Sequence, residues 1–185
     1  ETGERVQLRA RSVINATGTW ADRLRHEVNP ETRVRPLRGS HLVLARERLP
    51  VLDCLTIFHP RDKRPVFAFP WEGATVIGTT DLDHRQDADA EATISGDELD
   101  YLLEAVNDQF PGHAIGRDDI ISTWSGVRPV IGSDKSKDPS KERRNHAVWV
   151  DEGLVTVTGG KLTTFRKIAL DALAAATATL GELTI

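Results

Sequence analysis

The chain has 185 residues, 39% of them apolar and 28% charged, and a formal net charge of −4. That length and balance describe a globular chain able to bury a real core, organised as one domain or one and a fraction. The acidic balance argues against a nucleic-acid binder, which carries a strong basic excess. No apolar run approaches the roughly 20 residues that cross a bilayer, and no signal peptide is recognisable. The single Cys54 has no partner for an internal disulfide, so it reads as a small core residue in a reducing compartment. The absence of any Met, together with a strand-like start, predicts a piece of a longer protein.

In chain order, Val6, Leu8 and Ala10 alternate with polar residues and predict a half-exposed strand. Residues 12–16 form a short apolar strand stopped by Thr17-Gly18, and residues 20–28 read as a helix ended by Asn29-Pro30. From 33 to 81 the pattern is strand-rich. Strands are predicted over 40–45, 55–58, 66–69 and 75–78, and the prolines between them favour antiparallel pairing. Ser95-Gly96-Asp97-Glu98 is a capping-box signature. Leu99, Leu102, Leu103, Val106 and Phe110 then recur at helical spacing until Pro111-Gly112. Residues 120–127 predict another strand, 133–145 a polar loop, and 147–150 with 154–158 a hairpin around Asp151-Glu152-Gly153. A closing helix over 165–180 places Phe165, Ile168, Ala169, Ala172, Leu173, Ala176 and Leu180 on one face. The ends thus read as α/β and the middle as an antiparallel sheet with helices, as though a substrate-covering domain interrupts a nucleotide-binding one.

Four constellations could carry chemistry. Gly159-Gly160-Lys161-Leu162-Thr163-Thr164 lies between the last strand and the last helix. A helix N-terminus offers free N–H groups, and glycine permits close approach of a ligand, so this is an anion-site candidate. It is not a P-loop, whose lysine follows a longer glycine-spaced turn. Arg38-Gly39-Ser40-His41 puts an imidazole beside a flexible glycine, either as a general base near neutral pH or as a structural histidine. Gly78-Thr79-Thr80-Asp81 offers two hydroxyls and a carboxylate, for a polar pocket or for a capped turn. Trp124-Ser125-Gly126-Val127-Arg128-Pro129 ends an apolar strand on an arginine, the side chain suited to bidentate grip of a carboxylate or phosphate. Arg128, Arg144 and Lys161 together could surround a dianion. The six histidines are scattered and lack metal-ligand spacing, so no metal is expected.

These motifs, with Asn15-Ala16-Thr17-Gly18-Thr19-Trp20-Ala21-Asp22 before them and Pro70-Trp71-Glu72-Gly73 among them, occur in an order that closely resembles the FAD-dependent glycerol-3-phosphate dehydrogenases. The resemblance runs from about Val13 to Leu173. It implies a mixed α+β fold: an antiparallel-rich substrate-domain sheet with helices, flanked by remnants of a Rossmann-like FAD domain. Residues 1–32 would end the FAD-binding domain, 33–145 would bind substrate, and 146–185 would close the FAD domain. The family's Gly-x-Gly-x-x-Gly fingerprint and its C-terminal helical domain are absent from this sequence. The implied reaction is oxidation of sn-glycerol 3-phosphate to dihydroxyacetone phosphate by hydride transfer to FAD, with electrons passing to a membrane quinone. An oxygen-using glycerol-3-phosphate oxidase and an inactive isolated binding module are the alternatives.

Carried over by motif, His41 becomes the base or orienting group for the C2 hydroxyl, and Arg128 and Arg144 become phosphate grips. Lys161 becomes a polar anchor between substrate and flavin. Gly160, Leu162, Thr163 and Thr164 would approach the flavin ring, and Ala16, Thr17 and Gly18 the FAD diphosphate or ribose. The sequence departs from the family at Arg143-Arg144-Asn145, where a Ser-Arg-acidic run is usual, so either arginine can take the phosphate. The resemblance further implies a cytoplasmic enzyme peripheral to the inner face of the membrane, possible as a homodimer, whose isolated fragment is inactive and holds no FAD.

Overall fold

The computed structural model describes residue 3, residues 5–132 and residues 145–180. Its elements, in chain order, are β1 (Val13–Asn15), α1 (Ala21–Arg25), β2 (Val34–Ala45), β3 (Leu55–Phe58), β4 (Pro65–Trp71), β5 (Ala74–Gly78), β6 (Leu82–Asp83), α2 (Gly96–Gln109), β7 (Ile120–Ile131), β8 (His146–Asp151), β9 (Leu154–Gly159) and α3 (Phe165–Leu180). The fold is mixed, with antiparallel pairing dominant. The chain divides into two compact units: Glu1–Arg35 with Pro129–Ile185, and Pro36–Arg128. Among the described residues no helix is long and apolar enough to cross a membrane.

The unit made of the two ends carries a three-stranded sheet in the order β1-β9-β8. β1 runs parallel to β9, and β8 pairs antiparallel with β9 as the predicted hairpin. Arg25 on α1 is wholly buried here. Its guanidinium meets Asp151 of the hairpin at 2.7 Å and lies 5.4 Å from the centre of the Trp149 ring. A buried cation survives only with such partners.

The middle unit carries a six-stranded sheet, β3-β4-β5-β2-β6 with β7 also on β2. From residue 40 onward β2 alternates: Ser40, Leu42 and Leu44 are buried, while His41, Val43 and Ala45 are less so, as the period of two requires. Leu42, Leu44, Ile57, Val66, Ala68 and Ile77 of the sheet pack with Leu102, Leu103 and Val106 of α2 in one apolar core. Helix α2 starts where the sequence places it. Ser95 Oγ accepts from the Glu98 backbone N–H while the Glu98 carboxylate accepts from the Ser95 N–H.

Pairing along β2 contains one irregularity. His41 faces Gly78, yet Arg38 faces Leu82. Two residues of β2, Gly39 and Ser40, therefore oppose three, Thr79 to Asp81. This is a β-bulge, a device that bends a strand and redirects its side chains.

Four expectations need correction. Residues 5–10 form no strand; alternation makes an edge possible, but a strand needs a hydrogen-bonding partner. The helix after Gly18 is shorter than 20–28, being a 3-10 turn over Gly18–Trp20 followed by the five residues of α1. Cys54 is exposed, not in the core, because it sits in the turn ahead of β3. On α3, burial reaches Ala172 and Ala176, while Phe165 and Leu173 stay exposed. The predicted polar loop lies outside the described residues except for Asn145.

Leu102 is fully buried between α2 and the sheet. Leu102→Ala is expected to cost roughly 2–5 kcal/mol of stability, read as a lowered urea midpoint at unchanged slope. A loss within experimental error would mean that this helix face is not the core of the unit.

Candidate active site

The middle unit brings His41 and Arg128 together around the bulge. Arg128 sits on β7, two and four residues along from Gly126 and Trp124, so all three share one strand face. Its guanidinium donates to Thr79 Oγ1 at 3.0 Å and to Asp81 Oδ1 at 3.1 Å, with a longer contact to the Thr80 carbonyl at 3.4 Å. Asp81 is 3% exposed and also has Arg64 at 3.7 Å. A planar guanidinium fixed along one edge keeps a set direction, and its side chain retains 28% exposure. That combination suits presentation of a cation to an incoming anion.

His41 lies face to face with Trp124, ring centres 3.7 Å apart and planes 7° from parallel. The imidazole Nδ1 is buried with no hydrogen-bond partner among the described residues. Burial first, and then the positive charge of Arg128, push the imidazole down from 6.5 to about 4. At neutral pH the ring is therefore uncharged and able to accept a hydrogen bond or a proton.

Two glycines make the packing possible. A Cβ on Gly39 would lie under 3.0 Å from the Arg128 guanidinium and from Thr79 Oγ1. A Cβ on Gly78 would lie under 3.0 Å from the His41 ring. Each glycine leaves the space that a functional side chain fills.

The other candidates lie in the unit made of the chain ends. Asn15, 1% exposed, closes β1. Its amide donates to Ala21 O and Thr156 Oγ1, and its oxygen accepts from the Thr17 N–H and Thr17 Oγ1. These bonds shape the Ala16-Thr17-Gly18 turn, and Thr158 Oγ1 ties the Gly18 carbonyl to β9 at 3.1 Å. Since β1 and β9 are parallel neighbours, this turn and the Gly159-Gly160-Lys161 turn emerge together at their carboxyl ends. That is where open α/β sheets bind ligands.

Gly18 has φ +62° and nothing within 4 Å of an added Cβ. Gly159 and Gly160 differ. A Cβ on the first would press on the Asn145 carbonyl, and on the second would meet the Ile168 side chain at 2.6 Å. The space that a Cβ would fill at these two glycines is taken by the protein itself. Lys161, Thr163 and Thr164 are exposed around the 3-10 turn Leu162–Thr164, where Thr164 Oγ1 donates to the Lys161 carbonyl at 2.9 Å. Leu162 and Phe165 are exposed beside them, at 89% and 67%. Arg143 and Arg144 lie outside the described residues.

Sequence reasoning missed Trp124 as the partner of His41 and Glu98 as anything beyond a helix cap. Even spacing of Trp124 and Arg128 on one strand was the available signal for the first.

The sequence pattern of the family described as FAD dependent oxidoreductase matches residues 1–166. The chain belongs to this family. It is 38% identical over 173 residues to an aerobic glycerol-3-phosphate dehydrogenase of Staphylococcus haemolyticus, covering 92% of this chain and 31% of that one. A structure of the glycerol-3-phosphate dehydrogenase from Bacillus halodurans complexed with FAD superposes with a TM-score of 0.82 at 32% identity, over 96% of this chain and 34% of that one. The L-alpha-glycerophosphate oxidase of Mycoplasma pneumoniae shares the fold, with a TM-score of 0.62 at 19% identity over 93% of this chain and 43% of that one. The chain thus spans about a third of the length of the dehydrogenases it matches.

The depressed value of His41 has a signed consequence. Above pH 6.5 the imidazole is neutral in both the folded and the unfolded chain. As pH falls from 6.5 towards about 4, the unfolded chain takes up a proton that the folded protein refuses, so stability drops across that window. His41→Asn is expected to flatten this part of the stability–pH curve, measured by denaturant midpoints between pH 7 and 4.5. An unchanged slope would show that His41 titrates normally.

Proposed function

We propose that this chain supplies the substrate-holding part of an FAD-dependent glycerol-3-phosphate dehydrogenase, converting sn-glycerol 3-phosphate to dihydroxyacetone phosphate. The observation that carries the reading is an imidazole whose buried Nδ1 has no partner among the described residues, beside an arginine held in a fixed direction. A phosphorylated secondary alcohol needs both: a cation for the phosphate and an acceptor for the hydroxyl proton. Arg128 grips the phosphate, with Arg144 or Arg143 as a second cation. His41 accepts or orients the C2 hydroxyl, and Lys161 anchors a polar group of the substrate. Burial keeps the ring neutral well below neutral pH, so it stays an acceptor in mildly acidic solution as well.

The residues at the carboxyl ends of β1 and β9 fit one wall of an FAD site. Exposed Leu162 and Phe165 suit a planar apolar ring, and the hydroxyls of Thr163 and Thr164 its polar edge. The open turn at Gly18, with Ala16 and Thr17, suits the diphosphate or ribose. When bound, FAD supplies the acceptor for the hydride leaving C2. On this reading residues 1–32 and 146–185 belong to an FAD-binding domain and 33–145 to the substrate domain. Electrons would pass to a quinone at a membrane surface that the enzyme meets peripherally from the cytoplasmic side, with a homodimer as the candidate assembly. The family's pyrophosphate-binding fingerprint is not in this sequence, so the purified 185-residue chain is expected to be colourless and inactive. Flavin absorbance in it would contradict that.

The dehydrogenase is favoured over an oxygen-using oxidase by likeness, the superposed structures being 32% against 19% identical. Rapid reoxidation of the reduced full-length flavoprotein by air would reverse the choice.

In the full-length protein, Arg128→Ala is expected to weaken substrate binding by about 1.5–3 kcal/mol, or roughly tenfold to a hundredfold. Gly39→Ala, whose methyl would displace the guanidinium, acts in the same direction. Isothermal titration with sn-glycerol 3-phosphate reads both. Wild-type affinity in Arg128→Ala would remove that side chain from the site.

A further inference from the structure

Glu98 has two carboxylate oxygens with different partners. Oε2 serves the helix, accepting from the Ser95 N–H and the Ser95 hydroxyl, both at 2.9 Å, and taking the Arg38 guanidinium at 2.7 Å. A capping box asks for nothing more. Oε1 turns to the sheet, where it accepts from Thr80 Oγ1 at 2.7 Å, from Ser40 Oγ at 2.8 Å and from Arg38 Nε at 3.3 Å. The side chain is 1% exposed.

The sheet partners of Oε1 are the centre of the bulge. The Ser40 N–H donates to Thr80 Oγ1 at 3.0 Å, closing a triangle of Ser40, Thr80 and Glu98. Ser40 is the chain neighbour of His41. Thr80 lies between Thr79 and Asp81, the two side chains that hold Arg128. Ser40 Oγ also meets Ser125 Oγ at 2.8 Å, and Ser125 is the neighbour of Trp124. Glu98 thus reaches His41 through Ser40, the Thr79 and Asp81 anchors of Arg128 through Thr80, and Trp124 through Ser40 and then Ser125. Ser40 shares the helix-covered face of β2 with Leu42 and Leu44, and His41 projects to the opposite face.

We propose that Glu98 is a positioning residue: its buried carboxylate fixes the bulge between β2 and the Thr79–Asp81 segment, and through it the orientation of His41, Trp124 and Arg128. The inference rests on the reading of His41 and Arg128 as the substrate site. Burial pushes the Glu98 carboxyl upward, but the bonds from Ser95, Thr80, Ser40 and Arg38 outweigh it and hold the group below its ordinary value, so it is ionised at neutral pH. Stability alone does not call for a charge here, since well-packed apolar groups serve a core at least as well. What only an acceptor of several bonds provides is a single register between Ser40 of β2 and Thr80 of the segment that follows β5.

The test compares Glu98→Gln with Ser95→Ala, which weakens the cap but leaves the Oε1 bonds in place. Trp124 emission in the 185-residue chain, isolated by subtracting the spectrum of Trp124→Phe, reports the His41 stack without any ligand. Calorimetry on the full-length protein reports affinity for sn-glycerol 3-phosphate. Glu98→Gln is expected to change the Trp124 emission and to weaken substrate binding about tenfold to a hundredfold, as small misplacements of binding groups do. Ser95→Ala should lower the thermal midpoint with wild-type emission and affinity.

If Glu98→Gln does not fold, Thr80→Val carries the same expectation. Wild-type emission and affinity in a folded Glu98→Gln would overturn the proposal and leave Glu98 a helix cap. If instead Arg128→Ala binds substrate normally while Glu98→Gln still alters the emission, the site reading fails and the positioning of the bulge stands.

Discussion

A carboxylate can be buried only if its lone pairs are filled, and the middle unit is arranged around satisfying Glu98. Removing one partner of such a buried pair typically costs about 3–5 kcal/mol. An exposed pair such as Arg117 with Asp100, at 60% and 57% exposure, contributes about 1 kcal/mol or less. The difference explains why Glu98 can fix β2 against the segment after β5 while the surface ion pairs add little. The helix dipole helps, because the carboxylate sits in the first turn of α2, where negative charge is favoured. The same physics recurs in the other unit, where Arg25 is buried against Asp151 and the Trp149 ring and ties α1 to the β8–β9 hairpin.

The bulge converts that constraint into chemistry. A regular ladder would alternate faces without interruption. Here Thr79 and Asp81 turn to Arg128 and Thr80 bonds beneath the sheet to Glu98, while the extra residue sets all three against Gly39 and Ser40 alone. The two faces of the sheet thereby separate two electrostatic tasks. The buried anion lies on the helix side, with its own cation Arg38. On the other face lie a paired arginine and an imidazole kept neutral by burial and by that arginine's charge. The combination offers an anion a cation and offers a hydroxyl an acceptor, without placing two positive charges against each other.

Much of this was legible in the residues. Ser95 and Glu98 announced the helix start by their spacing, and Leu102, Leu103 and Val106 announced its buried face. The strands over 55–58 and 154–158 were clear from alternation and flanking turns. The ordered motifs singled out His41 and Arg128, which the fold brings together beside the bulge. Other elements were not legible, for reasons of pairing and burial. Residues 5–10 alternate like a strand but lack a partner. Cys54 has a buried residue's chemistry and an exposed turn's position. On α3 the predicted apolar face is buried at Ala172 and Ala176, whereas Phe165, Ala169 and Leu173 are exposed. Burial is a property of what lies opposite, which periodicity does not encode.

The sequence by itself determined the local events: which segments extend, which coil, where α2 is capped, and which side chains have the chemistry to hold a phosphate and receive a proton. These follow from nearest-neighbour sterics, period and side-chain type. Only the tertiary structure decided that Gly39 and Gly78 are the seats of Arg128 and His41, that Trp124 lies on the imidazole, and that Glu98 serves the sheet as well as its helix. Each of those facts joins residues distant in the chain through a contact of a few ångströms. Such contacts arise from the register of β2 against its neighbours, which no local pattern sets.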